Sequence, residues 1–150
     1  MPSPTMTPEQ ALPKITAILA HGGRCRLVIT GTSMLPFLRH LQDAVILAPL
    51  SGPVRRGDIL FYLRAGGQPI LHRVIKVCDD GTLLLCGDAQ VAPEPVSPVQ
   101  IIGRAEQIQR SEKQYSISSP AMRLGAELWM LLRPVRPYIL AAARRLGFMQ

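Results

Sequence analysis

Between residues 25 and 117 the chain falls into seven short β-rich runs, at 25–30, 44–49, 58–64, 69–77, 82–86, 99–109 and 113–117, punctuated by Gly, Pro and Asp. Runs this short and this closely punctuated pair with their neighbours as antiparallel strands, so the core is expected to be mainly β, sandwich- or barrel-like. Pro93, Pro95 and Pro98 mark a loop ahead of the strand that holds Ile101 and Ile102. The two ends of the chain read differently. Residues 7–20 form a short helix pattern: Thr7 can cap it, Pro8 suits its first turn, Glu9 favours its amino end, and Pro13 works against it. Residues 120–147 carry Met122, Leu124, Leu128, Trp129, Leu131 and Leu132 at helical spacing. Pro134 and Pro137 break that pattern before a second helix at 138–146. The expected organisation is an N-terminal helical segment over 1–24, a β domain over 25–118 and a basic amphipathic tail over 119–150.

Composition narrows the function classes. A chain that is 47% hydrophobic and 18% charged buries a core and is not a disordered tail, a coiled coil or a collagen-like fibre. The net charge of +7 favours an anionic partner surface, but aromatics at 5% supply no stacking platform, and no nucleic acid is expected. Three cysteines, Cys25, Cys78 and Cys86, are an odd number without paired spacing, which argues for a reduced, cytoplasmic setting. The longest uncharged apolar stretch, residues 44–54, has eleven residues and two prolines, about half of the ~20 a membrane span needs. The first residues lack the basic start and apolar stretch of a secretory signal. From Pro120 onward five arginines face one acid, so the tail either packs on the β core as a helical hairpin or rests on the anionic inner face of a membrane.

Two segments carry candidate chemistry. Gly31-Thr32-Ser33-Met34-Leu35-Pro36 follows a strand and forms a constrained loop, which can present the Ser33 hydroxyl and leave backbone N–H groups free for an oxyanion. His72 interrupts the strand-like run of residues 69–77, either as a half-buried strand histidine or as the base a serine needs near neutral pH. Asp80-Gly81 signals a two-residue turn, which pairs Arg73 with Asp88 and Cys86 with Ile75; a loop longer by one residue would set His72 opposite Asp88. His21, Cys25 and Cys78 lack zinc-ligand spacing, so no metal is expected. Arg56 and Asp58 read as a turn at the start of a strand. Lys76, on the strand of His72, lies about 13 Å along it, too far to act as base.

In order, Gly31-Thr32-Ser33-Met34-Leu35-Pro36, Arg56-Gly57-Asp58-Ile59-Leu60-Phe61, Leu71-His72-Arg73-Val74-Ile75 and Cys86-Gly87-Asp88 resemble the boxes of the type I signal peptidases and LexA-like self-cleaving repressors. The resemblance covers roughly residues 26–107, and the gap of 39 between Ser33 and His72 is in the family's range. It implies a fold of coiled antiparallel sheets with terminal helices, and a serine endopeptidase that needs no metal or organic cofactor. Histidine in the third box is similar to the endoplasmic-reticulum branch, which implies a Ser33–His72 pair oriented by an acid. Asp88 matches the last box, and Glu94 stands where that branch carries a further aspartate; Asp88 is set slightly ahead. The substrate is expected as an extended added strand with small residues before the cut.

Three departures qualify the likeness. Gly31 replaces the usual serine two residues before the nucleophile, so backbone N–H groups must hold the oxyanion; Gln42-Asp43 stands where the family has Gly-Asp; and the membrane anchor is missing. A cytosolic or membrane-surface substrate is therefore expected. Two rivals stand beside the peptidase. A self-cleaving regulator would need an Ala-Gly or Cys-Gly bond before Ser33 and a DNA-binding domain, and the first 24 residues are too few for one. A non-catalytic peptide-binding or membrane-surface module would not need Ser33 and His72 together. Activity is expected to rise around pH 6.5 as an ordinary histidine loses its proton.

Overall fold

A computed structural model describes residues 8–149. Thr7, the expected cap of the first helix, lies outside the described residues. Helix α1 (Pro8–Ala20) keeps Pro13 inside it and buries Ile15 and Leu19, one turn apart, against the sheet.

Eight antiparallel strands follow: β1 (Cys25–Val28), β2 (Asp43–Ala48), β3 (Ile59–Leu63), β4 (Pro69–Val77), β5 (Leu83–Cys86), β6 (Glu94–Val96), β7 (Ile101–Arg110) and β8 (Lys113–Ser116). They form one sheet in the order β1-β2-β7-β3-β4-β5-β6, with β8 also paired to β7. The fold is thus mainly β. Three register shifts, at Ile46/Leu47, Phe61/Tyr62 and Val74/Lys76, each add local twist and bend, so the sheet coils instead of lying flat.

Coiling explains why Ile59-Leu60-Phe61-Tyr62 is apolar without interruption. Successive strand residues point to opposite faces, and both faces of β3 are covered. Ile59 and Phe61 join a large core with Leu27, Val45, Leu47, Ile108 and α1, whereas Leu60 and Tyr62 join a smaller one with Val74, Leu83, Leu85 and Val96. The histidine strand β4 crosses beside both.

Two expectations change. The segment expected as a proline-marked loop contains strand β6, with Glu94 opposite Leu85. Proline removes a ladder donor, which an edge strand tolerates, and β6 ends the sheet. The β4–β5 register also differs: Cys78 N–H donates to Thr82 O, so the turn is the loop longer by one residue, and a bulge at Ile75 then shifts the pairing once more to set Arg73 opposite Cys86. Cys86 does not face Ile75, and neither Arg73 nor His72 faces Asp88.

The tail forms α2 (Pro120–Leu131), capped by Ser119, and α3 (Arg136–Arg145), joined by a short turn at Arg133–Val135. Its inner face packs on the sheet. Ala126 and Met130 lie with Ile75 and Cys86, Trp129 stands edge-on to Phe37, and Arg136 is 1% exposed. Arg56, read from sequence as part of a turn, pairs with Glu127, while Asp58 accepts from Arg55 N, Arg104 and Arg123, which ties α2 to the sheet. The outer face, with Leu124, Leu128, Leu131, Tyr138 and Leu146, is exposed. Among the described residues no helix is long and apolar enough to cross a membrane.

Candidate active site

Ser33 sits in a turn held from below by Met34, Leu35 and Leu38, all buried. The loop closes on itself through Leu35 N–H to Thr32 O and Leu38 N–H to Met34 O, and Gly31 N–H donates to His40 Nδ1 at 2.8 Å. Those bonds leave the N–H groups of Thr32, Ser33 and Met34 without an acceptor among the described residues, as an oxyanion site requires. The loop's carbonyl side is fixed as well: Ala89 N–H donates to Ser33 O at 2.8 Å. Gly87 lies so close that a Cβ there would stand 2.6 Å from the same oxygen. Arg73 opposite Cys86 is the last β4–β5 pair, so Gly87 comes beside His72 one residue further on. The backbone of Ser33 therefore packs on the segment that passes His72. Among the described residues no hydrogen bond joins Ser33 to His72, and the imidazole does not line the cleft at Ser33; its hydrogen-bond partner is Tyr62 Oη.

His72 is 3% exposed and lies opposite Leu60 on the face of the smaller core. The alternation of strand residues then decides its surroundings. Tyr62, two residues from Leu60, shares that face, as does Glu94 across β5. Tyr62 Oη is 2.5 Å from Glu94 Oε1 and 3.3 Å from His72 Nδ1, and Glu94 Oε1 itself is 3.7 Å from Nδ1. Arg64, at the end of β3, grips both Glu94 oxygens. Burial would raise the Glu94 carboxyl, but the bonds from Arg64 and Tyr62 outweigh it and hold the group below the usual carboxylate range. Burial, then Glu94, push the Tyr62 phenol up, so it keeps its proton. Burial, against the pull of Glu94 and with the push of Arg64, takes His72 from 6.5 down to about 4. The imidazole is thus neutral well below the pH range expected from an ordinary histidine.

Asp88 belongs to the opposite face. Its carboxylate takes two bonds from Arg73, at 2.8 and 2.9 Å, and both residues are buried. Arg73 also donates to Gly57 O and stacks on Phe37. Neighbours on a strand point opposite ways, so an acid paired with Arg73 cannot also serve His72. Of the two candidate acids the structure brings Glu94, not Asp88, to the imidazole. Asp88 instead anchors the turn after β5, together with Trp129 Nε1–H to Asp88 O at 2.7 Å and Arg136 to Gly87 O and Gln90 O. Sequence reasoning missed Tyr62, Arg64 and Arg136. A tyrosine within an otherwise aliphatic-aromatic strand run, two residues from the position facing His72, was the only local signal for the first.

A cleft of about 300 Å³ leads to Ser33, lined by residues 27–31, Met34, Phe61 and residues 68–71. Strand β1 is an edge of the sheet, and residues 69–72 of β4 pair only with β3, because β5 pairing starts at Arg73. Two strand edges with unused backbone groups therefore border a largely apolar groove, the arrangement that accepts an extended peptide as an added strand. No protein-family model matches the sequence, and no curated protein matches it.

Proposed function

We propose that this chain is a serine endopeptidase that uses Ser33 as nucleophile and His72 as general base. The observation that carries the reading is the Ser33 loop, whose free N–H groups stand at a groove between two strand edges and whose backbone packs on the Gly87 segment. The four-box resemblance to signal peptidases supports it independently. A peptide laid between residues 28–31 and 69–72 brings a carbonyl to Ser33. Oγ forms a bond to the carbonyl carbon while Nε2 of His72 takes its proton, and the Ser33 N–H faces the oxyanion. The C–N bond then breaks as His72 returns that proton to the leaving amine. Water, deprotonated by the same nitrogen, hydrolyses the acyl-enzyme.

The test is digestion of a peptide library, read by mass spectrometry, with the wild type, Ser33→Ala, His72→Ala and the double variant. Each single change should lower cleavage by about 10³-fold or more, and the double variant should lose little beyond that, because the residues act as a unit. Undiminished cleavage by Ser33→Ala would overturn the mechanism, and cleavage confined to the chain itself would favour a self-cleaving regulator.

Peripheral membrane contact is part of the same proposal. The outer face of α2 and α3 exposes Leu124, Leu128, Leu131, Tyr138, Leu146 and Phe148, and Arg133, Arg144 and Arg145 beside them make no ion pair with any described residue. Unpaired cations among exposed leucines complement an anionic bilayer, at about 1 kcal/mol for each arginine near the surface.

A further inference from the structure

The carboxylate of Glu94 is too far from His72 Nδ1, at 3.7 Å, for a direct hydrogen bond. Between them stands the phenol of Tyr62, within hydrogen-bond distance of both. We propose that Tyr62 is the positioning residue through which Glu94 orients His72, so that the site is a relay of Ser33, His72, Tyr62 and Glu94 and not a three-residue triad. The inference rests on the peptidase reading for its function, and on hydrogen-bond chemistry for its direction.

An ionised carboxylate only accepts, so the 2.5 Å contact fixes the phenol proton on the line from Tyr62 Oη to Glu94 Oε1. With its one proton committed, Oη has only lone pairs left for the imidazole. Nδ1 must then be the nitrogen that carries hydrogen and donates to Oη. The opposite tautomer would set two lone pairs against each other at 3.3 Å. Nε2 is consequently the unprotonated nitrogen, the one required to take the Ser33 proton. When it does so, the new imidazolium strengthens the Nδ1–H bond to Oη, and the phenol passes the polarisation to Glu94 without moving a proton off His72. Geometry holds the phenol rigidly. Tyr62 shows no exposure, its ring meets His72 edge-on at 6.2 Å between centroids, and β3–β4 pairing sets it on the His72 face. Arg64 in turn fixes both oxygens of Glu94, so the carboxylate cannot swing past the phenol without losing that grip.

The experiment uses the full chain and two readouts. Side-chain ¹⁵N NMR assigns the His72 tautomer, and the fastest-cleaved peptide of the library gives kcat and KM. The wild type should hold the proton on Nδ1. Tyr62→Phe should release the preference, so that Nε2–H gains, and should lower kcat about tenfold or more with KM within about twofold. Glu94→Gln should act in the same direction, and the double variant should be no worse than the more damaging single one, since both lie on one path. Multiplying effects, or a Tyr62→Phe protein with wild-type kcat and tautomer beside an impaired Glu94→Gln, would overturn the relay in favour of a direct His72–Glu94 contact. If Tyr62→Phe fails to fold, the wild-type tautomer alone decides: a proton on Nε2 contradicts the relay. If the wild type shows no Ser33-dependent cleavage, the peptidase reading fails, and the tautomer still answers for Tyr62.

Discussion

Gly87→Ala adds a single methyl group where the turn after β5 touches the Ser33 loop. Gly87 lies outside the left-handed region, so alanine there meets no conformational strain and would ordinarily stabilise by about 0.4–1 kcal/mol through the unfolded chain. Space decides otherwise. The new Cβ would stand 2.6 Å from Ser33 O and 2.9 Å from Gln90 Oε1, and ordinary contact starts near 3.4 Å. The glutamine end can move, but the Ser33 carbonyl is backbone and already accepts from Ala89 N–H at 2.8 Å. The loop or the turn has to shift by the better part of an ångström, and the turn is pinned by Arg136, Trp129 and the Arg73–Asp88 pair. Forcing a methyl into packed structure costs about 1–3 kcal/mol. For a chain of this size that is about 2–12 °C in Tm. A displacement near 1 Å at a reacting group costs about 10²-fold in rate. Thermal unfolding and peptide cleavage should therefore both report losses, with the loss in kcat the larger in free energy. Gly81→Ala is the control: its φ of +89° makes it strained, but nothing lies within 4 Å, so it should lower stability modestly and leave cleavage unchanged. Wild-type activity in Gly87→Ala would refute the claim that this contact positions Ser33.

Other outcomes follow from the same structure. With His72 near 4 instead of 6.5, kcat/KM should keep its plateau down to about pH 5 and fall only below it. The unfolded chain takes up the His72 proton first, so stability present above pH 6.5 is lost as pH falls from 6.5 toward 4, by at most about 3 kcal/mol, measurable by urea unfolding across that window. Asp88→Asn and Glu94→Gln should separate cleanly: the first breaks a buried ion pair and costs about 3 kcal/mol of stability, whereas the second, on a part-exposed acid, should mainly lower kcat. Vesicle sedimentation should show salt-sensitive binding to anionic but not neutral lipid, weakened by Leu128→Ser with Arg144→Gln. Deleting residues 120–150 is not a fair test, because Trp129 and Arg136 hold the turn beside Ser33, and the truncated chain should lose cleavage as well.

Much of this protein is local information. Turn residues and short β-rich runs mark seven of the eight strands to within a few residues, because a strand's limits depend on residues that cannot continue it. The helices of the tail, with their break at Pro134, are equally legible. Ser33, His72 and a short choice of acids stand out in the sequence as candidates only. What tertiary structure alone decided is which acid meets the imidazole. A bulge at Ile75 inserts one unpaired residue and moves every later pairing by one, an event that turn chemistry at Asp80-Gly81 cannot announce. Strand β6 pairs along the edge that β5 offers, although Glu94 and Pro95 are poor strand formers. Tyr62, Arg64 and Glu94 lie up to 32 residues apart and converge through the register of four strands. The tail's two faces divide in the same way: amphipathic spacing is written in the sequence, but the choice of inner face came from Ile75, Cys86 and the turn at Gly87 waiting to be covered. Sequence carries the periods, because they arise between near neighbours; it does not carry the register, because a one-residue slip costs nothing locally and redirects every side chain beyond it.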